Sequence, residues 1–396
     1  MKKKKSIVFL GYSTFPFGFA EVQKIILISK SLILEGNEVT VICRNGYLNI
    51  KDHPDFKPTG IYEKIKYIYA SGCCFRNDHF FKRRLNQVKG KINEFLILKK
   101  QKRNNSVDYA ILSTRSFYSV FYYKILSKIF GFKIILNYVE YYSAIKKQNL
   151  EIGKRINDYL FDKYTPSLSD SIFPISEFLI NQVKSVAPEK KYLKIPGLTD
   201  FGKYDDIEII ANEEYFLFCG DSTYKEVILF VIDSFEILNN NSVFLYLVIG
   251  GLQRNIKEIK DYINNQHQKD RIIIFSNLAE KQLYTYYKNA KGLLIPLRPT
   301  FQDFARFPHK TGEYLASGNP VISTNYGEVK FYFKDKETML LAESYEKYKF
   351  AEKMQYVIEN PTQAMEIGKK GKEVASKIFD YRIVAPQINN FLELQF

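Results

Sequence analysis

The chain has 396 residues, 46% hydrophobic and 26% charged, which suits a soluble globular protein of two domains. No apolar run approaches the roughly 18 residues that a membrane-spanning helix needs. The net charge of +15 is uneven, with 34 Lys and Arg against 17 acids in residues 1–200 and 24 against 26 in the remainder. A basic half beside a near-neutral half implies a polyanionic partner, either nucleic acid or an anionic membrane.

In chain order, MKKKK followed by SIVFLGY could imitate a signal peptide, but the apolar run is short and lacks a small-residue cleavage site, so 6–12 reads as a first strand. A loop with Gly18 follows. From about Ala20 the spacing of Val22, Ile25, Ile26, Ser29, Leu32 and Ile33 predicts a helix that Gly36 ends, and EVTVICR is the second strand. This is a βαβ unit with a ligand-binding turn, although the G-x-G-x-x-G dinucleotide spacing is absent. IKYIYA within 60–72 is a third strand. Residues 80–103 mix Lys and Arg with Phe, Leu, Val and Ile at helical spacing, which fits either a membrane-surface helix or a solvated one. Strands at 107–114 and 132–140 flank an aromatic helix. Glu140 stands just past a buried strand, where α/β proteins place site residues. SDSIFPISEFLINQV reads as strand, Ser176 cap and helix.

The acidic stretch 202–214 has no core pattern and coincides with the charge switch, so it is the predicted linker. A strand at 215–220 leads into a turn in which Ser222, Thr223 and Lys225 offer amides, hydroxyls and a cation, a reasonable diphosphate cradle. The strand at 243–251 ends in Gly250 and Gly251, where backbone can approach a ligand. RIIIFSNLAEKQLYTYYKNAKGLLIPL continues as strand, helix, strand. Within 295–329, Pro308 fits a first helical turn, Gly318 a left-handed stop and Pro320 a block to continuation. Lys310 and Glu313, three apart, share a face at the positively polarised helix N-terminus. That arrangement suits a phosphate and, one turn on, a ribose diol. Cys43, Cys73, Cys74, Cys219 and four His show no metal-ligand spacing, so a reducing cytoplasm and no tight zinc site are expected.

RFPHKTGEYLASGNPVIST resembles the donor-binding segment of GT-B retaining glycosyltransferases, family 4, and further landmarks resemble that family in order along the chain. The loop with Gly18 and Glu21 is similar to its acceptor-side loop, with Phe19 where a second glycine is usual. Lys225 matches a phosphate-binding lysine, while Asp221 stands where an arginine is usual. Ser276, Asn277 and Leu278 fall in the loop that binds the base, and Glu140 in a loop near the acceptor. The family's pattern is Glu, seven residues, Glu; Glu313 matches the second, while the first, which contacts the donor sugar, is replaced by Ala305, with Asp303 two residues earlier as a substitute.

The resemblance implies an α/β fold of two Rossmann-like domains facing across a cleft. An acceptor domain would cover 1–201, with a final helix at about 381–396 packing back on it, and a nucleotide-sugar domain 202–380. It implies transfer of a sugar from a nucleotide-diphosphate sugar to a glycan or lipid-linked acceptor in surface polysaccharide or glycolipid synthesis, with retention. Lys225, Lys310 and Arg306, rather than a metal, would stabilise the diphosphate. The basic first half would meet the inner face of an anionic membrane from the cytoplasm. The competing readings are a nucleic-acid-binding or nucleic-acid-modifying protein, for which no recognisable motif speaks, and a non-catalytic scaffold.

Overall fold

The computed structural model describes residues 4–12, 14–18, 20–104, 107–145, 151–209, 213–240 and 242–394, so Phe19 and positions 210–212 of the predicted linker lie outside the described residues. The chain divides into two compact units, Met1–Leu198 with Tyr381–Phe396, and Thr199–Asp380. The change of unit thus falls at 198/199, and the predicted linker belongs to the second unit. Thr199 N–H donates to Phe379 O at 2.8 Å. Phe201–Tyr204 forms a 3₁₀ turn whose Tyr204 is buried against Tyr284, with ring centroids 5.0 Å apart. The acidic composition of 202–214 hides this aromatic anchor.

The first unit is built on an eight-stranded sheet. Its strands are β1 (Ser6–Leu10), β2 (Glu38–Cys43), β3 (Thr59–Tyr62), β4 (Ile65–Tyr69), β5 (Tyr109–Leu112), β6 (Lys133–Tyr138), β7 (Ser171–Pro174) and β8 (Lys191–Tyr192). They lie in the order β3-β4-β2-β1-β5-β6-β7-β8, and only the β3–β4 pair is antiparallel. The predicted strand IKYIYA is β4, and the strand not read from sequence, β3, precedes it in a hairpin turned at Glu63 and Lys64, whose positive φ values of 46° and 69° match a primed turn. β5 and β7 are buried along their whole length, so they read as continuous apolar runs without alternation. Ser116 and Ser176 cap helices Phe117–Phe130 and Glu177–Val186 by accepting from the backbone N–H three residues on.

Right-handed crossovers place helix Ala20–Leu34 on one face of this sheet and Phe80–Asn104, Phe117–Phe130 and Ile152–Leu168 on the other. Tyr381–Glu393 closes the unit by packing on Ala20–Leu34. Ser31 Oγ donates to Tyr381 O at 2.7 Å, and Tyr109 Oη to Leu392 O at 2.5 Å. Val384, Ile388 and Leu392 enter the same core as Ile7, Phe9, Val22 and Ile25.

The second unit has β9 (Tyr215–Asp221), β10 (Phe244–Gly250), β11 (Ile272–Phe275), β12 (Gly292–Ile295), β13 (Val321–Thr324) and β14 (Leu340–Ala342). All pairs are parallel in the order β11-β10-β9-β12-β13-β14. This is the doubly wound nucleotide-binding order, and the chain reverses direction across the sheet between β9 and β12. The crevice beyond the carboxyl ends of those two strands is where such a sheet binds ligands.

Candidate active site

Beyond β9, Asp221 accepts from Thr223 N–H at 2.8 Å and starts the turn Ser222–Tyr224 that leads into helix Lys225–Glu236. Ser222 is buried and its hydroxyl donates to Leu252 O at 3.3 Å. Gly251 has φ +105°, and a Cβ there would lie 2.7 Å from Ser222 Oγ and 2.8 Å from the Asp221 carboxylate. A Cβ on Gly250 would meet nothing within 4 Å. The glycine this turn requires is therefore Gly251. Gly251→Ala is expected to lower stability by about 1–3 kcal/mol through strain and collision, and Gly250→Ala by no more than about 0.5 kcal/mol. Urea midpoints of the two variants, equal within error, would refute this.

Beyond β12 the loop is held by an acid between two arginines. Thr300 caps the short helix Phe301–Ala305 by accepting from Asp303 N–H at 3.3 Å. Asp303 is 1% exposed and accepts from Arg298 N–H (2.8 Å), Nε (2.9 Å) and Nη2 (2.9 Å), while Arg306 Nη2 lies 2.7 Å away. Arg306 also donates to Tyr224 Oη at 2.8 Å and sits 4.7 Å above that ring. Burial pushes the Asp303 carboxyl up, but the two guanidinium groups more than offset this and hold it below the usual range. Asp303 is thus enclosed by arginines in this structure and does not stand open in place of the acid missing at the buried Ala305.

The next helix, His309–Ser317, has Pro308 just before its first residue and no side chain capping its first amides. Gly318 ends it with φ +83°. Lys310 Nζ lies 3.2 Å from Glu313 Oε2, and His309 Nε2 lies 3.4 Å from Oε1. Tyr314 Oη accepts from Cys219 N–H at 2.9 Å and ties the helix to β9. Burial pushes the Glu313 carboxyl up, yet Lys310 and His309 hold it below the carboxylate range. Burial likewise pulls Lys310 down, but Glu313 and Cys219 hold it well above the usual ammonium value. Both groups therefore stay charged, and the carboxylate keeps lone pairs that these two contacts do not use.

Of the remaining donor-side candidates, Lys225 is paired with Glu258 at 2.6 Å, on a carboxylate that Arg254 also holds at 3.1 Å. Ser276 and Asn277 are exposed beyond β11. Ser276 Oγ donates to Ile249 O at 2.8 Å, and Asn277 is left-handed with φ 58°. Among the described residues no group of three or more His, Cys, Asp or Glu is placed to hold a metal ion.

Residues 203–374 match the family model described as glycosyl transferases group 1. The matched segment lies within the second unit. The protein is a glycosyltransferase. Its fold is similar over the whole chain to sucrose-phosphate synthase from Thermosynechococcus elongatus, at 15% identity, 99% coverage of each chain and a TM-score of 0.78. A glycosyltransferase from Rickettsia africae aligns at 17% identity, 100% and 99% coverage and a TM-score of 0.70. Anabaena HepE in complex with UDP-glucose aligns at 16% identity, 98% and 99% coverage and a TM-score of 0.69. At these identities the likeness establishes the fold, two Rossmann-like units of the GT-B class. A search of curated proteins finds no match.

In the glycosyltransferase's first unit, Gly18 allows a close approach, since a Cβ there would lie 2.6 Å from Val22 Cγ2. Glu21 opens helix Ala20–Leu34, and burial, partly offset by Arg115 and Lys24, pushes its carboxyl up to about 7. Lys24 is buried one turn on, donates to Ile195 O at 3.2 Å, and is pulled down to about 7 by the same burial. Arg115 lies 4.8 Å above the Tyr142 ring, and Glu21 and Glu140 both act electrostatically on that phenol. Gly18, Glu21 and Glu140 therefore lie beyond the carboxyl ends of β1 and β6. Lys24, Arg115, Arg298 and His309 were not singled out from sequence. Lys24 alone carried a signal, a cation inside an apolar helical face.

Proposed function

We propose that the protein transfers a sugar from a nucleoside-diphosphate sugar to a hydroxyl of a glycan or lipid-linked acceptor, with retention, in surface polysaccharide or glycolipid synthesis. The observation that carries this reading is the Lys310–Glu313 pair at an uncapped helix N-terminus beside the β9/β12 reversal, inside the matched segment. In the reaction the bond from the anomeric carbon to the diphosphate oxygen breaks, and negative charge develops on the diphosphate. The Lys310 ammonium and the first helix amides stabilise that charge. Arg306 adds to it from beside Tyr224, and its Nε–H is buried without a partner. Glu313 accepts from the ribose hydroxyls through its remaining lone pairs. Lys225 contributes once it exchanges Glu258 for phosphate, with Ser222 and Thr223 beside it and Gly250 at the neighbouring strand end. Ser276 and Asn277 border the base. These protein charges take the place of a metal ion. Glu21, Gly18 and Glu140 lie on the acceptor side, and retention follows from the family resemblance. A nucleotide-sugar donor is further supported by HepE, whose structure holds UDP-glucose. The basic first unit meets the inner face of an anionic membrane.

A second reading, donor binding without transfer, is favoured by the apolar Ala305 and by the enclosure of Asp303. Both readings expect one nucleoside diphosphate to raise the melting temperature, by about 2.7 kcal/mol of stabilisation at a hundredfold excess over Kd. Flat melting curves with every base would defeat both. Release of nucleoside diphosphate from a donor in the presence of acceptor then separates them, since the second reading expects none.

A further inference from the structure

We infer that three neighbouring helices on one face of the first unit's sheet form a surface that inserts into an anionic bilayer. This deepens the membrane partnership proposed above and is independent of the transfer chemistry.

The side of helix Phe80–Asn104 turned toward the body of the unit is part polar: it buries Leu98, but also Glu94, which is 0% exposed and bonds Arg44 Nη2 and Tyr123 Oη, each at 2.9 Å, while Asn93 donates to Ala70 O at 2.8 Å. The side turned outward is apolar. Phe81, Leu85, Val88, Ile92 and Leu96 are exposed, from 51% at Leu96 to 84% at Phe81. At 3.6 residues per turn these five project within an arc of about 80° on the side away from Glu94. Lys82, Lys89 and Lys100 border that stripe on one edge, and Arg84 and Lys91 on the other. A helix bathed in water is built the other way round, with its apolar stripe on the core.

The stripe continues onto the adjoining helices. Phe95 and Phe130 bring Phe117–Phe130 alongside, at 5.2 Å between ring centroids, and that helix exposes Tyr118, Phe121, Ile125 and Ile129. Phe117 and Tyr164, at 6.3 Å, join it to Ile152–Leu168, which exposes Ile152, Ile156 and Tyr159 beside Lys154 and Arg155. An apolar patch of this extent marks an interaction surface. Its basic borders select the occupant. Lipid phosphates complement them while the apolar stripe enters the acyl boundary. A second copy of this face would set like charges against each other.

The chain contains no Trp, so one introduced indole reports its own surroundings. Phe81→Trp and Ile92→Trp are expected to show blue-shifted emission on phosphatidylglycerol-containing vesicles and none on phosphatidylcholine vesicles. Phe331→Trp, an exposed position in the second unit, is expected to show no shift on either. Reversing Lys82, Lys89 and Lys100 to Glu should weaken vesicle binding by about fivefold per lysine, and by more as each becomes negative. Emission unchanged by anionic vesicles would overturn the inference. So would a shift that tracks protein concentration without lipid, which would point to a second copy, or one produced by duplex DNA instead. The nucleoside-diphosphate melting shift of the same variants, unchanged, keeps this outcome separate from that of the donor reading.

Discussion

Lys310→Ala is expected to remove transfer and stability together. The substitution leaves Glu313, whose side chain is only 12% exposed, with His309 at 3.4 Å as its remaining ion-pair partner. Breaking a buried pair from one side destabilises by about 3–5 kcal/mol, because the stranded charge has lost its partner and cannot regain water. The same change deletes a cation from the position where diphosphate charge develops, for which a loss of about 10²–10³ in kcat is the ordinary scale. Glu313→Gln separates the two effects, since it keeps the shape, leaves a cation better able to relax, and removes the ribose acceptor. Glu313 is held below the usual carboxylate range, so its stabilisation is present above its unfolded pKa of about 4.3 and is lost as pH falls through the lower folded value. Wild type should therefore lose, on acidification below about pH 4.3, a part of its stability that Glu313→Gln lacks already. Unaltered kcat/KM in Lys310→Ala would remove this residue from the site.

Asp303→Ala carries the second large effect. Two guanidinium groups converge on this carboxylate, and through it Arg298 and Arg306 fix the loop beyond β12 against Tyr224 beyond β9. Without it Arg298 keeps only Glu226 as an ion-pair partner and Arg306 loses its carboxylate, with the two guanidinium groups facing each other, and a loss of about 3–5 kcal/mol follows. Nucleoside-diphosphate affinity should fall with it, since Arg306 no longer has a defined place. The double substitution Asp303→Leu with Arg298→Met is expected to recover much of the stability, because an apolar pair often replaces a buried ion pair at little loss. It should recover little of the affinity. Chemical unfolding together with nucleotide titration measures both, and an Asp303→Ala variant within about 0.5 kcal/mol of wild type would show that the clamp holds nothing.

Much of this architecture is legible in the amino-acid sequence, for identifiable reasons. Buried parallel strands such as β1, β6, β9 and β10 are continuous apolar runs, and the helix ending at Gly318 carries its own stop signal. Lys310 and Glu313 could be paired on paper because three residues along a helix is a local distance. What could not be read is what depends on separation in space. Glu258, which holds Lys225, lies a whole strand away, and the arginines that enclose Asp303, though only five and three residues from it, meet it across a loop whose path has no period to read. β3 and β14 are too short to show a pattern. In helix Phe80–Asn104 the spacing revealed an apolar stripe but not which side of it faces the sheet. That orientation is set by Arg44, on a distant strand end, reaching Glu94.

The packing of Tyr381–Glu393 on Ala20–Leu34 also bears on the order of events at the ribosome. The first unit begins to emerge early, but the helix that covers Val22, Ile25 and Ile28 is made only after every residue of the second unit. At translation rates of 5–20 residues per second that gap is about 10–40 s. Through that interval a strip of apolar core lies open on a nascent domain that already carries the excess positive charge. The second unit, contiguous in sequence from Thr199 to Asp380, has no such debt and is able to fold first. The native core of the amino-terminal domain is thus completed only by a helix that follows the whole second unit in sequence.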